Sequence, residues 1–175
     1  RVPAFLEHAI ELMKFHQVDI LWLNDARFLK GDLATHLPLV RECLPDSRVI
    51  QFPTVSVKTG SWAQEFNQMG GAIAIVNYKW KSFITRTATD PVPAGLINTL
   101  DLKVGESRMR LLNIYFPPTS PTVGKATLTS RITRHQQSAA MATSIRRLSS
   151  IDFLYRLLQI QITDTRANAR MVLVQ

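Results

Sequence analysis

Apolar residues recur at helical spacing from Pro3 to His16. Phe5, Ala9, Leu12, Met13 and Phe15 mark the stripe, and Pro3 suits a first turn. The continuous apolar run from Val18 to Leu23 predicts a buried strand, which ends in the polar group Asn24-Asp25-Ala26-Arg27. Gly31-Asp32 opens a second helix over about 32–43, Pro45-Asp46-Ser47 is a turn, and Arg48 to Phe52 is a short strand. Residues 53–69 hold Pro53, Gly60, Ser and Thr without a sustained period and read as a long surface loop. The run 70–76 is a strand behind a glycine pair. Asn77-Tyr78-Lys79-Trp80 then reads as a hairpin turn into a strand over 81–87. Two further alternating strands cover 96–102 and 109–115, joined through 103–107. Pro117, Pro118 and Pro121 break the pattern. Helical patterns follow over 126–143 and 150–168, the second striped by Ile151, Leu154, Tyr155, Leu158 and Ile162, and the run 171–175 reads as a strand. βα units interrupted by antiparallel strands predict an α/β (α+β) fold with two sheets rather than one doubly wound sheet.

Composition narrows the class. At 175 residues with 46% hydrophobic and 19% charged side chains, the chain suits one domain with a real core and excludes wholesale disorder. No apolar run approaches the roughly 18 residues of a membrane span. One cysteine, Cys43, excludes an internal disulfide framework and a zinc site of several thiolates, and is simplest in a reducing, intracellular compartment.

The net charge of +8 is unevenly placed. Residues 1–103 hold 11 Lys+Arg against 10 Asp+Glu, a sum of +1, whereas residues 104–175 hold 10 against 3, a sum of +7. Arg131, Arg134, Arg146, Arg147, Arg156, Arg166 and Arg170 carry most of that excess. Guanidinium groups suit phosphate geometry, so this set points to a polyanion, nucleic acid before an anionic lipid or protein face. Lys79 and Lys81 alternate with Tyr78, Trp80 and Phe83, an arrangement that could stack bases and touch phosphates, although a half-buried strand gives the same letters. Gly70-Gly71 lacks a following helix and lysine and is no P-loop. His8 and His16 lie too far apart on one helix to share a metal.

Three stretches in order carry a resemblance: 19–27 (Asp-Ile-Leu-Trp-Leu-Asn-Asp-Ala-Arg), 70–75 (Gly-Gly-Ala-Ile-Ala-Ile) and 112–117 (Leu-Asn-Ile-Tyr-Phe-Pro). They resemble the endonuclease/exonuclease/phosphatase superfamily, especially the endonuclease domain of non-LTR retrotransposons. The resemblance implies a four-layer α/β/β/α sandwich with two packed sheets, here an incomplete copy forming one partial domain over 1–175 with an Arg-rich helical part at 122–170. It also implies Mg²⁺-assisted phosphodiester hydrolysis. Asp25 stands where the family has a metal-binding glutamate, Asn24 stands where it has a neighbouring glutamine, and Asn113 and Tyr115 match an Asn-x-Tyr motif that frames the scissile phosphate. These residue types fit the chemistry, since Mg²⁺ takes hard oxygen ligands and developing phosphoryl charge needs donors. Read without the resemblance, Asp25 caps a turn beside Arg27, and Asn113 and Tyr115 make end-of-strand hydrogen bonds.

The sequence departs from the family in three places. The family's first strand with its metal-site Asn, the Gly-Asp-x-Asn motif after the long helix, and the Ser-Asp-His segment with the general base have no counterpart in 1–175. Losing a positioned base alone costs about 10²–10⁴-fold. The expectation is therefore a catalytically incapable remnant. It would need no cofactor as it stands, and would act as a basic, RNA-contacting component of a ribonucleoprotein such as an organellar ribosome, in the mitochondrion or another compartment. Protein neighbours would cover open sheet edges and the apolar surface of a half-sandwich. The alternatives are a Mg²⁺-dependent DNA endonuclease completed by another segment or chain, and a protein-interaction module.

Overall fold

The computed structural model describes residues 4–26, 32–52, 55–58, 66–69, 71–89, 96–115, 152, 155–156, 158–160, 162–163 and 171–174. The elements run α1 (Ala4–Phe15), β1 (Ile20–Asn24), α2 (Asp32–Cys43), β2 (Arg48–Gln51), β3 (Val55–Lys58), β4 (Phe66–Met69), β5 (Ala72–Val76), α3 (Tyr78–Lys81), β6 (Ile84–Thr89), β7 (Ile97–Val104), β8 (Ser107–Ile114) and β9 (Met171–Val174).

A three-stranded antiparallel sheet has the order β1-β5-β2. Its central strand is buried at all five residues because both faces are covered. On one face Ile73 and Ile75 meet Leu6, Ile10 and Met13 of α1 and Leu33 and Val40 of α2. On the other, Ala72, Ala74 and Val76 lie with Trp22 and Phe52 against Leu100 and Leu111 of the second sheet. Alternation along the strand makes this two-faced packing obligatory: odd positions of β5 serve the helices and even positions serve the partner sheet. Trp22 and Phe52, with ring centroids 5.2 Å apart, fill the space beside the small Ala72 and Ala74.

The second sheet has the order β6-β7-β8-β9, antiparallel except for the parallel β8–β9 pair. Gly105, at φ +59, makes the tight turn between β7 and β8. Leu100 and Leu111 are cross-strand partners on the inner face. By alternation Ile97, Thr99 and Asp101, with Leu112 and Arg110 opposite them, lie on the outer face, and all five are buried. Asp101 and Arg110 face each other in register and form a two-toothed ion pair, Nε to Oδ1 at 2.6 Å and the second guanidinium nitrogen to Oδ2 at 2.9 Å. Helices, sheet and sheet thus stack in three described layers, an α+β architecture with two packed sheets. No helix among the described residues is long and apolar enough to cross a membrane.

Several sequence expectations need correction. The α1 stripe is Leu6, Ala9, Ile10 and Met13. Phe5, Leu12 and Phe15 are exposed, because the helix carries a second apolar set one position away with the same spacing. The predicted loop 53–69 contains β3 and β4, which pair as an antiparallel ladder. Strands 72–76 and 84–89 do not form a hairpin. Asn77 caps the short α3 by accepting a hydrogen bond from the Lys79 amide at 3.2 Å, and β5 and β6 enter different sheets. The apolar sheet faces expected to lie open are buried within the chain. Predicted helix 126–143 lies outside the described residues, while 152, 155–156, 158–160 and 162–163 are helical, with Tyr155 exposed and Leu158 and Ile162 half-buried.

Candidate functional site

β1 and β8 bring two of the sequence-singled positions together at one end of the sandwich. Asn24 shares the inner face of β1 with Trp22, and Asn113 shares the inner face of β8 with Leu111. Where the inter-sheet core ends, the two side chains form a reciprocal amide pair. Asn113 Nδ2 donates to Asn24 Oδ1 at 2.7 Å, and Asn24 Nδ2 donates to Asn113 Oδ1 at 3.2 Å. Asn113 is 1% exposed, whereas Asn24 is exposed, so the pair ties a buried amide to one at the surface. Each amide keeps one N–H and further acceptor capacity beyond the pair.

Asn98 deepens this polar end. It is the cross-strand partner of Asn113 and is fully buried. The sequence reading missed it, yet a signal was there: on the face carrying Leu100 and Leu102, an asparagine breaks an apolar alternation. Burying an amide at such a position is costly unless it is hydrogen-bonded, so an asparagine there stands out against the apolar face.

Asp25 follows the pair directly. Its backbone is left-handed, φ +53, and Gly71 opposite it has φ +74. The β1–β5 ladder pairs Asn24 with Ala72, then Ala26 N–H donates to Gly71 O at 3.3 Å, so the register slips by one residue. This is a bulge. Such devices bend a strand and re-aim a side chain, and they occur frequently beside functional sites. Aspartate tolerates this conformation better than most residues, though at a cost relative to glycine. The Asp25 side chain is half-buried. Tyr115 sits one residue past β8, half-buried, its N–H donating to Leu96 O at 2.8 Å, which fixes the backbone on which the ring is carried.

The remaining singled residues fall elsewhere. Lys81 lies at the far end of the sheet and approaches Asp46 Oδ1 at 3.6 Å, while Lys79 is exposed on α3; neither is on a strand. Arg156 is exposed on a helical residue. Arg131, Arg134, Arg146, Arg147, Arg166 and Arg170 lie outside the described residues, as does Arg27. His8 is exposed on α1 and His16 is exposed one residue past its end, and His8 pairs with Glu11 at 3.8 Å; His36 is half-buried on α2. Among the described residues no group of three or more His, Cys, Asp or Glu could hold a metal.

No family model matches this chain, and no curated protein sequence matches it. Solved structures do. The AP endonuclease LMAP from Leishmania major is similar with a TM-score of 0.47 at 16% identity, covering 82% of this chain and 46% of the other. A truncated TDP2 from Caenorhabditis elegans gives 0.38 at 12% identity, covering 79% and 49%. An endonuclease/exonuclease/phosphatase family protein from Leptotrichia buccalis gives 0.39 at 9% identity, covering 83% and 59%. This chain thus spans roughly half the length of the structures it is similar to. At these identities and scores the likeness is an observation of shape, and the site is read from its own residues.

Proposed function

We propose that the end of the sandwich closed by Asn24 and Asn113 grips a nucleic-acid phosphodiester, and that this chain supplies part of a Mg²⁺-dependent phosphodiesterase site. The carrying observation is the inter-sheet amide pair, with a carboxylate placed beside it by a left-handed bulge. Asn113 and Tyr115 serve as donors to phosphate oxygens. Asn24 orients the Asn113 amide by occupying one of its N–H groups and its carbonyl. Asp25 is the carboxylate that holds the cation, which when bound supplies Lewis-acid stabilisation of phosphoryl charge. None of the described histidines lies beside the pair, so a base for the attacking water would come from outside the described residues. What the described residues carry is binding and orientation, which in phosphoryl transfer make up much of the catalytic task.

The test is binding of a short labelled oligonucleotide by the full-length protein with and without Mg²⁺. Affinity should rise with Mg²⁺, Asp25→Asn should remove that rise, and Asn113→Ala should weaken binding in both conditions. Equal, Mg²⁺-independent binding by all three proteins would refute the proposal.

A second reading is a catalytically silent, RNA-contacting part of a ribonucleoprotein, with an organellar ribosome as one host. It is favoured by the +7 sum over 104–175. In that case structured RNA binds with a steep salt dependence and without any response to Mg²⁺ at Asp25.

A further inference from the structure

The end of the sandwich opposite the amide pair is basic, and one part of it is built as a site. After α2, Leu44 N–H donates to Val40 O at 2.8 Å, and Ser47 N–H donates to Leu44 O at 3.2 Å. With Asp46 in the left-handed region, φ +62, the turn folds back so that Ser47 and Arg48 stand against the last helical turn, which carries Arg41. From the other side α3 brings in Lys81. Together with Leu37 and Val49 they line a cavity of about 410 Å³.

Three cations face one cavity, and the carboxylate near them is Asp46, 78% exposed, 3.6 Å from Lys81 Nζ. Neither the Arg41 nor the Arg48 guanidinium has a hydrogen-bond or ion-pair partner among the described residues. In the same wall, Ser47 Oγ is shielded from solvent and has no hydrogen-bond partner among them. The negative end of α2 accounts for Arg41 by itself, but not for Arg48, Lys81 or the unsatisfied hydroxyl. Two uncommitted guanidiniums, an ammonium and a hydroxyl match the donors that a phosphate accepts.

A second cavity, about 270 Å³, is lined by Arg86, Lys103 and Arg108 together with Asp101, whose carboxylate is held by Arg110. It lies at the β7–β8 turn end, the same end of the sandwich. Two cationic cavities suit a chain of phosphates better than one free anion. On β5, Arg48 pairs with Val76 and Asn24 pairs with Ala72. Four residues of strand, roughly 13 Å, separate them, so no single phosphate reaches both ends.

We infer that Arg41, Ser47, Arg48 and Lys81 form a phosphate-binding site at the pole remote from the Asn24–Asn113 pair, and that it takes a backbone phosphate of a nucleic acid. The site stands independently of the amide-pair reading. The experiment titrates ¹⁵N-labelled full-length protein with inorganic phosphate and, separately, with a short single-stranded oligonucleotide. Anisotropy of the labelled oligonucleotide is measured in parallel across a salt series. Ser47, Arg48 and Lys81 amide resonances should shift with the oligonucleotide, and at saturating oligonucleotide should still do so in Asn113→Ala even where its affinity is lower. An Arg41→Gln/Arg48→Gln double variant should bind about tenfold or more weakly, with its log–log salt slope reduced by about 1.4. Arg48→Lys should retain most of the affinity. Inorganic phosphate producing the same shifts identifies a single-phosphate site; shifts with the oligonucleotide alone identify a polyanion site, and both uphold the assignment. Stationary Ser47 and Arg48 amides with both probes overturn it, and so does binding within twofold of wild type by a folded double variant.

Discussion

The Asp101–Arg110 pair gives the sharpest test of how the second sheet is held. Both side chains are about 5% exposed, and two charge-assisted bonds of 2.6 and 2.9 Å join them across β7 and β8. Arg110→Met keeps the volume and removes the charge, leaving the Asp101 carboxylate buried without those two donors. Breaking a buried pair from one side costs about 3–5 kcal/mol. For a chain of this size that lowers Tm by roughly 6–20 °C. Asp101→Leu strands the guanidinium and should cost a similar amount. The double variant removes both charges and restores apolar packing, so its stability should return to within about 1 kcal/mol of wild type or exceed it. A double-mutant cycle by urea denaturation, with far-UV circular dichroism as the probe and the m-value held constant, measures this coupling. Single-variant costs below about 1 kcal/mol, or a double variant as unstable as the sum of the singles, would refute the reasoning.

Other consequences are local. At Asp25 the left-handed backbone favours glycine, so Asp25→Gly should be more stable than Asp25→Ala by about 1 kcal/mol in the same denaturation assay. Gly105→Ala meets no atom within 4 Å and should still destabilise by about 1 kcal/mol, because the cost is backbone strain alone; Gly105→Asn should recover part of it. Phe52→Ala removes the ring packed on Trp22 and should cost about 3–5 kcal/mol, with a change in tryptophan emission as the folded-state readout.

Where one periodicity ruled, the sequence was readable. The apolar run of β1, the alternation of β7 and β8, and α2 at 32–43 lie close to where the pattern places them, because one period runs through each element without a competing one. Reading failed where two solutions share one pattern. On α1, Phe5-Ala9-Leu12 and Leu6-Ile10-Met13 have equivalent spacing, and only the sheet beneath decides which turns inward. The segment 77–80 carries letters fit for a turn, but the Asn77 cap closes a helical turn and hands the chain to the other sheet. β3 and β4 are four residues each, too short to announce themselves between Pro53 and Gly70. At the site, Asn24 and Asn113 were legible as motif residues. Their pairing across 89 positions, the Asp25 bulge and the Asn98 partner are products of sheet packing that no local window contains. The polyanion reading of the C-terminal arginines looked in one direction, while the cationic cavity assembled from Arg41, Arg48 and Lys81 needs three separate elements to come together.

In the proposed function the sandwich end at Asn24, Asp25 and Asn113 holds a cation and a phosphodiester together. Paramagnetic Mn²⁺, standing in for Mg²⁺, is titrated into the ¹⁵N-labelled protein in the presence of a hydrolysis-resistant phosphorothioate dinucleotide. Selective broadening of the Asn24, Asp25, Ala26, Asn113 and Tyr115 amide resonances is expected, and is lost in Asp25→Asn. Broadening centred elsewhere, or unchanged in Asp25→Asn, would contradict the proposed function.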